Sequence, residues 1–581
     1  MPRPQPSTLE RALAAVNRAS ELASRQIAMS CEAQHDASDP IETRIPDLSL
    51  AGAQRRSERG MQILALLENV DDDMLPHDVA LSAKLLRYYA RSWSQEATHY
   101  WTAIDPIGAL FYGPFAQHAY TGGLFFGSIN PQIAAFAFDS DRDGDRYLRL
   151  LSELTRLLEQ IHARTEGQAE RGIRIHKPQL PAVRTLLARL RDTAQSVYPV
   201  DAARLTRVRD GEALAAEIRR RVEQRVLPAF DALLAQLDAD YERCAPDEVG
   251  LDKLPGGRET YAWLLQQHTT RDYSVEQVHA AGHARMARIE NEMAQLRARL
   301  GFDGTATEFA RHLRTQPGAV ATSAEDIGAR MRGHKDRIEQ RFDEFFHQRS
   351  THEFELERLA PALEGSLTWG YYHPPTASEP RGVYYYNGGK LDSLAVIAAA
   401  SLVFHELVPG HHLHLTIQQN NAAQSPLRRN ALVNAFNEGW AEYAATLTGE
   451  MGLYDNPYDR YGRLCMDAFL TSRLIVDTGM NALGWSWAQA KDYLREHTLC
   501  AEAEIESDTL RYSCGLPAQS LAYKLGDEDI LRIREKIRER LGARFDIRDF
   551  HAAILDAGAL PLPALEWHLD KVFGGEPASP A

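Results

Sequence analysis

The stretch His405-Glu406-Leu407-Val408-Pro409-Gly410-His411-His412 carries the residue types of zinc hydrolysis. A His followed at once by Glu, with further His residues one to two turns on, lets a helix present two imidazoles to a zinc ion and a carboxylate to the water beside it. The stretch follows a long apolar run, Leu394 to Phe404, and reads with it as one helix. Its spacing departs from the usual one, in which the second ligand comes four residues after the first, because that position is Pro409. On a straight helix His411 would point about 240° away from His405, and His412 would return to the same face about 10 Å further along. Neither suits zinc–nitrogen bonds of about 2 Å. Pro409 has no amide hydrogen for the carbonyl of His405, and its ring crowds that carbonyl, so the helix must bulge or kink. Looping out Pro409 and Gly410 moves His411 into the place of the second ligand, with a glycine that lets the backbone pass close to the site. His411 is preferred on this ground, and His412 is the alternative.

A third ligand is offered by Asn437-Glu438-Gly439-Trp440-Ala441-Glu442-Tyr443, where Glu438 and Glu442 lie one turn apart on one helical face. Two carboxylates pointing the same way suit a metal ligand plus an acceptor that orients a histidine ring. A solvated acidic face is the plainer reading, but Ala435, Phe436, Trp440, Ala441, Ala444, Ala445 and Leu447 leave almost no polar side. Glutamates in so apolar a helix need a cation.

The elements that must hold these residues are mostly helical. Apolar and charged residues alternate at helical spacing from Leu9 to about Glu68, Val79 to Ser92, Asp141 to His162, Gln179 to Val197, Asp210 to Leu237 and Ser274 to Leu300. Between them Ala103 to Gln132, rich in Gly, Pro and aromatics, reads as ordered loop. Asp238 to Gly257, with acidic residues, two Pro and a Gly pair, is taken as the boundary between an N-terminal helical lobe (1–245) and a C-terminal catalytic lobe (246–573). The last eight residues, 574–581, are expected to be disordered. Before the zinc stretch, Gly382-Val383-Tyr384-Tyr385-Tyr386-Asn387 is a β-type run, and a strand there could offer an edge to an extended peptide, with Tyr385 and Asn387 as substrate contacts. Towards the end come Arg511-Tyr512 and then Leu521-Ala522-Tyr523-Lys524. Tyr523 or Tyr512 could donate to an oxyanion, and Arg511 and Lys524 could anchor a substrate carboxylate.

Composition sets the bounds. A chain of 581 residues, 44% hydrophobic and 25% charged, is an ordinary globular protein with room for more than one lobe. A net charge of −15 argues against nucleic acid or an anionic membrane as the main partner. No run reaches the 18 or so apolar residues of a membrane span, and Met1 to Ser30 lacks the continuous apolar segment of a secretory signal. Five cysteines, an odd number without metal-type spacing, point to a reduced, cytoplasmic compartment.

Taken together these segments resemble the bacterial family known as domain of unknown function 885 (DUF885), a set of zincin-like peptidases. The matching pieces are Leu254-Pro255-Gly256-Gly257, Thr269-Thr270, Gly382 to Asn387, His405-Glu406 through His412, Glu438-Gly439-Trp440-Ala441, Arg473 to Gly479, Pro517 to Gly526 and Phe545 to His551. The resemblance implies a mainly α, two-lobed helical zincin-like metallopeptidase fold with a deep central cleft and a small β-element before the zinc helix, distantly similar to neurolysin, angiotensin-converting enzyme and thermostable carboxypeptidases. It implies zinc held by His405, His411 and Glu438, Glu406 as general base, Glu442 behind a ligand, and Tyr523 or Tyr512 facing the oxyanion. Two positions depart from the family pattern: His414 stands where Gln is usual, and Asn481 where His is usual. Three functions follow in order of preference: a zinc peptidase acting on short peptides, a zinc amidase acting on a non-peptide or specialised metabolite, and a binding protein with a decayed site. Decay would be expected to remove some of His405, Glu406, Glu438 and Tyr523, and all four are present.

Overall fold

A computed structural model describes residues 7–27, 41, 45–105, 111–316, 321–360, 364, 370–376, 379–389, 391 and 398–574. Cys31, most of the apolar run before Ala398 and the expected disordered tail after Gly574 lie outside the described residues. The helical periodicity of the first half becomes α1 (Thr8–Ile27), α2 (Leu50–Leu67), α3 (His77–Ser94), α4 (Ala119–Ala134), α5 (Asp141–Glu170), α6 (Leu180–Val197), α7 (Gly211–Arg221), α8 (Leu227–Gln236) and α9 (Ala239–Arg243). α4 corrects an expectation, since the later part of the Gly- and Pro-rich stretch is helical rather than loop. Its glycines and Pro131 disfavour a helix, but burying Phe126, Ile129 and Ile133 in the core overrides local propensity.

The second half supplies α10 (Gly257–Thr269), α11 (Val275–Arg299), α12 (Ala306–Thr315) and α13 (Ala324–Glu339), and then β1 (Phe354–Arg358), β2 (Gly370–His373) and β3 (Gly382–Tyr386). There follow α14 (Ala399–Glu406), α15 (His411–Asn420), α16 (Pro426–Arg429), α17 (Asn434–Glu450), α18 (Pro457–Ala482), α19 (Trp487–His497), α20 (Glu502–Leu510), α21 (Ala522–Leu541), α22 (Ile547–Ala557) and α23 (Leu562–Phe573). Side-chain caps fix several starts: Ser274 and Gln277 close a reciprocal box at α11, as do Ser486 and Gln489 at α19.

The sheet has the order β1-β3-β2, with β1 parallel and β2 antiparallel to β3. β3 is therefore central and both its edges are used. Among the described residues the free edges belong instead to β1 and β2, and it is β2 that reaches the cleft described below.

Two large cores hold the chain. One joins α1–α3 to α13, α14, α17 and α21–α23, so the first three helices pack with the C-terminal half. The other gathers α4–α8 and α10 around Leu474 of α18 and Leu516, Leu521 and Leu525 near the start of α21. α17 and α21 meet through glycines: a Cβ on Gly439 would stand 2.6 Å from the Cα of Gly526. That close approach brings Tyr523 and Lys524 up to Glu438 and Glu442.

Candidate metal centre

The expected single zinc helix is two. α14 stops at Glu406, with Leu407 N–H giving the last bond to Val403 O at 3.0 Å, and α15 begins at His411. Pro409, which has no N–H to continue the ladder, sits in the break, and its carbonyl accepts from Trp440 Nε1 at 2.9 Å. Gly410 lies so close beneath α14 that a Cβ would meet His405 O at 1.8 Å, so the sharp return to His411 requires glycine.

The break brings His405, His411 and Glu438 together, with one ligand atom from each lying within 4.8 Å of the others. Glu438 Oε2 stands 3.7 Å from His405 Nε2 and 3.4 Å from His411 Nε2. This oxygen is buried and has no hydrogen-bond partner, a costly state for a carboxylate unless a cation satisfies it. Donor atoms about 2.0–2.1 Å from a tetrahedral zinc stand roughly 3.3–3.5 Å apart. The nitrogen, nitrogen, oxygen set and its spacing fit that ion.

His405 is held from behind. Its Nδ1 is 2.9 Å from Glu442 Oε1, so Nδ1 carries the hydrogen and Nε2 is the nitrogen that faces Glu438 and His411. Glu442 is fixed in turn by Arg463 at 2.9 Å and Lys524 at 3.1 Å. Lys524 also pairs with Asp467 at 2.9 Å and Asp527 at 2.6 Å, and Arg463 reaches Ser401 on α14. Burial works against the charge on Glu442, but Arg463 and Lys524 outweigh it and keep the carboxyl well below the usual range. His411 Nδ1 lies 3.2 Å from Nε2 of His414, so His414 steadies the second imidazole.

Glu406 lines the same cleft, which has a volume of about 520 Å³ and includes Tyr112, Tyr120, Tyr371, Tyr372, Arg429, Asn434, Arg511, Gln519 and Tyr523 in its walls. Burial, together with the neighbouring Glu438 and Glu442, raises the Glu406 carboxyl above its ordinary value against the pull of His405 and His411. Burial would remove charge from His405, yet Glu438 and Glu442 push it up to about 10, so the place beside Nε2 attracts a cation, which is a proton or, in its stead, a metal ion. The Tyr523 ring stacks on His405 with centroids 6.1 Å apart and planes 10° from parallel. Burial, with Glu438 adding to it, raises its hydroxyl, so it is a neutral donor at physiological pH.

Other residues named from the sequence fall elsewhere. His412 is fully buried and turned away, its Nε2 donating to His352 O at 3.1 Å and its Nδ1 2.8 Å from Tyr372 OH. Tyr512 is sealed in the core, where its hydroxyl accepts from Arg473 Nε at 2.7 Å, so it does not reach the cleft. Lys524 is fully buried in its ion pairs and cannot anchor a substrate. Tyr385 meets Tyr371 across the sheet with the rings tilted by 35° and is not itself in the cleft wall, and Asn387 donates to Glu364 O at 2.8 Å. Of the four substrate contacts expected, Arg511 alone lines the cleft. Asn481 also lies away from it, bonded to Asp477, Tyr512 O and Leu251 N. The sequence reading missed Tyr120, Tyr372 and Arg429 in the cleft and Arg463 behind it. Nothing local marks them, since each reaches the site through a long-range contact.

Two other features differ in kind. His347, Asp546 and Asp549 form an exposed cluster at the start of α22, where Asp546 is held by Arg548 at 2.6 Å. A hollow of about 370 Å³ between α3, α10 and the segment before α23 contains no comparable ligand set.

Residues 32–569 match the family described as bacterial protein of unknown function (DUF885). The crystal structure of "the putative lipoprotein from Colwellia psychrerythraea" is similar over 98% of this chain and 100% of that one, with a TM-score of 0.81 and 23% identity. A "putative lipoprotein of unknown function" from Shewanella oneidensis is similar over 97% of this chain and 100% of that one, with a TM-score of 0.69 and 15% identity. At these identities the likeness is one of fold. No curated protein matches the chain.

Proposed function

We propose that this chain, which belongs to the bacterial DUF885 family, is a zinc-dependent hydrolase that cleaves peptide bonds in short peptides held in its cleft. The observation that carries the reading is the meeting of His405, His411 and Glu438 around an unsatisfied buried carboxylate oxygen, with Glu406 beside them. Three protein ligands leave a position open for water or substrate, the pattern of catalytic rather than structural zinc sites. Bound there, zinc supplies a Lewis acid that makes water more acidic and polarises a carbonyl.

The chain's own groups do the rest. The Glu406 carboxylate takes the proton of the attacking water and passes it to the nitrogen of the leaving amine. Its raised affinity for protons suits both steps. Tyr523 O–H donates to the carbonyl oxygen as negative charge develops there. Glu442 holds His405 Nδ1, so the ring presents one fixed tautomer. The open edge of β2, with Gly370 and Tyr371 in the cleft wall, gives an extended peptide backbone to pair with. A zincin-like arrangement of two lobes around this cleft, as the resemblance implies, is part of the same proposal.

We assign the protein to the cytoplasm on its cysteines: Cys244, Cys465, Cys500 and Cys514 are unpaired. Among the described residues no helix is long and apolar enough to cross a membrane. The two structural neighbours are each described as a "putative lipoprotein", so fractionation of the native host cells is the direct check, and recovery in a membrane or periplasmic fraction overturns the assignment.

The function is tested by metal analysis of protein purified without chelator, coupled to digestion of a random peptide mixture. About one zinc per chain and cleavage abolished by chelator are expected. Absence of stoichiometric metal, with none taken up on adding zinc, removes the proposal.

A further inference from the structure

Buried and half-buried guanidiniums in the C-terminal half of this chain are, as a rule, matched by carboxylates. Arg463 meets Glu442, Arg285 meets Asp467 and Asp527, Arg271 meets Asp529 and Glu566, and Arg428 meets Asp78. Around the wall that carries Tyr523 the rule breaks. Arg511 gives one hydrogen bond, from Nη2 to Gln519 Oε1 at 2.9 Å; its Nε is buried without a partner, as those of Arg285 and Arg428 also are, but unlike them it has no carboxylate at its other nitrogens. Arg473 gives Nε to Tyr512 OH, and its Nη1 is likewise buried without a partner. Arg429, also in the cleft wall, has a buried unpartnered Nε. Among the described residues no carboxylate makes an ion pair with any of the three. Leaving such groups unmatched is costly, and in a chain of net charge −15 it is not for want of acids.

The surroundings of Arg511 shape a receptor rather than a defect. A five-residue π-turn, Arg511–Gly515, turns Tyr512 into the core and leaves Arg511 in the cleft wall. Tyr120 of α4 covers one face of the guanidinium, 5.2 Å from ring centroid to Cζ. Gln519, which holds the other side, is itself fixed by Asn434 at 3.2 Å, and both line the cleft. A planar fork held this way matches the two oxygens of a carboxylate.

Resting on the peptidase reading, we propose that Arg511 is the receptor for the free C-terminal carboxylate of the substrate, so that the enzyme removes residues from the C-terminal end of short peptides and discriminates against amidated ones. Arg511 and Tyr523 share one wall beside the metal ligands, which places the anchored end close to the bond that is cut.

The test compares a random tetrapeptide mixture in free-acid and C-terminally amidated form. Two readouts are taken: turnover by zinc-loaded protein, and calorimetric binding to Glu406→Gln, which does not turn over. The free acids are expected to bind and react about ten- to a hundredfold better, the value of a hydrogen-bonded charge pair. Products should be short fragments from the C-terminal end. Arg511→Gln should erase the preference by raising KM for the acids far more than for the amides, with zinc content unchanged, and Arg511→Lys should restore part of it. Equal handling of acids and amides, or an equal loss on both in Arg511→Gln, overturns the proposal while the peptidase reading stands. Absence of turnover on every peptide sinks the peptidase reading instead, and the binding comparison then still decides whether Arg511 selects a carboxylate.

Discussion

His405 and Glu442 form a fixed pair, Nδ1 to Oε1 at 2.9 Å, in which the carboxylate is clamped by Arg463 and Lys524 before it meets the imidazole. The ring cannot rotate or change tautomer without breaking a buried charge network that extends to Asp467, Asp527 and Arg285. Glu442→Gln should therefore weaken zinc binding about 10- to 100-fold with His405 intact. It should also cost about 3 kcal/mol of stability, because Arg463 loses its buried counter-charge. A zinc titration of folded variant protein giving the parent affinity would show that the pair does not orient the ligand.

Glu406 and Glu438 should part company on mutation. Glu406→Gln is expected to abolish turnover and keep about one zinc per chain, since its role is to carry a proton. Glu438→Ala should instead release the metal, with a loss larger than that of the orienting Glu442. Elemental analysis alongside activity separates the two, and the reverse pattern would exchange their roles.

Acid should weaken the junction of α10, α21 and α23. Glu566 pairs with Arg532, Arg271 and Lys536 at 2.7–3.0 Å, and chiefly through Arg532 its carboxyl is held well below the ordinary glutamate range. Its folded pKa is depressed, so its contribution to stability is complete above about 4.5 and is lost as pH falls through the folded value. Glu566→Gln should lower Tm by about 1–2 °C at pH 7. The gap to the parent should close as pH is lowered from 5 towards 2, and a gap that widened on acidification would reverse the sign of the argument.

The meeting of His405, His411 and Glu438 was legible in the sequence because local rules are broken around it. Pro409 interrupts an apolar helix between histidines, and Glu438 and Glu442 stand in a helix with almost no polar face. What surrounds the site was not legible, because long-range packing decides it. Tyr512 and Tyr523 look equivalent in sequence, but a π-turn sends the first into the core. Lys524 follows Tyr523 directly, yet burial against three carboxylates from α17, α18 and α21 removes it from the cleft. Sheet order is likewise set by pairing across distant segments, so the edges fell to β1 and β2 and not to β3. α4 was hidden for the opposite reason, since its local glycines say loop while its buried face says helix.

The histidine pair gives a sharp test of the break between α14 and α15. His411→Ala should lose zinc, because Nε2 of His411 faces Glu438 at 3.4 Å. His412→Ala should keep zinc and lose stability instead, as it removes a fully buried ring bonded to Tyr372 and to His352 O. Near-parent zinc affinity in His411→Ala would mean that the second ligand has been misassigned.

The two tyrosines should separate in kinetics. Tyr523→Phe removes one hydroxyl from the cleft and leaves the ring stacked on His405, so zinc content and KM should hold while kcat falls about 10²- to 10³-fold, the usual effect of deleting one oxyanion donor. Tyr512→Phe leaves Arg473 Nε without its acceptor in the core, so it should lower Tm with kcat within a few-fold of the parent. Steady-state kinetics and thermal melts on both variants decide between the residues. A large kcat loss in Tyr512→Phe at unchanged stability would place the oxyanion donor on the wrong side of the π-turn, since only a rearranged Arg511–Gly515 segment could bring that hydroxyl to the substrate.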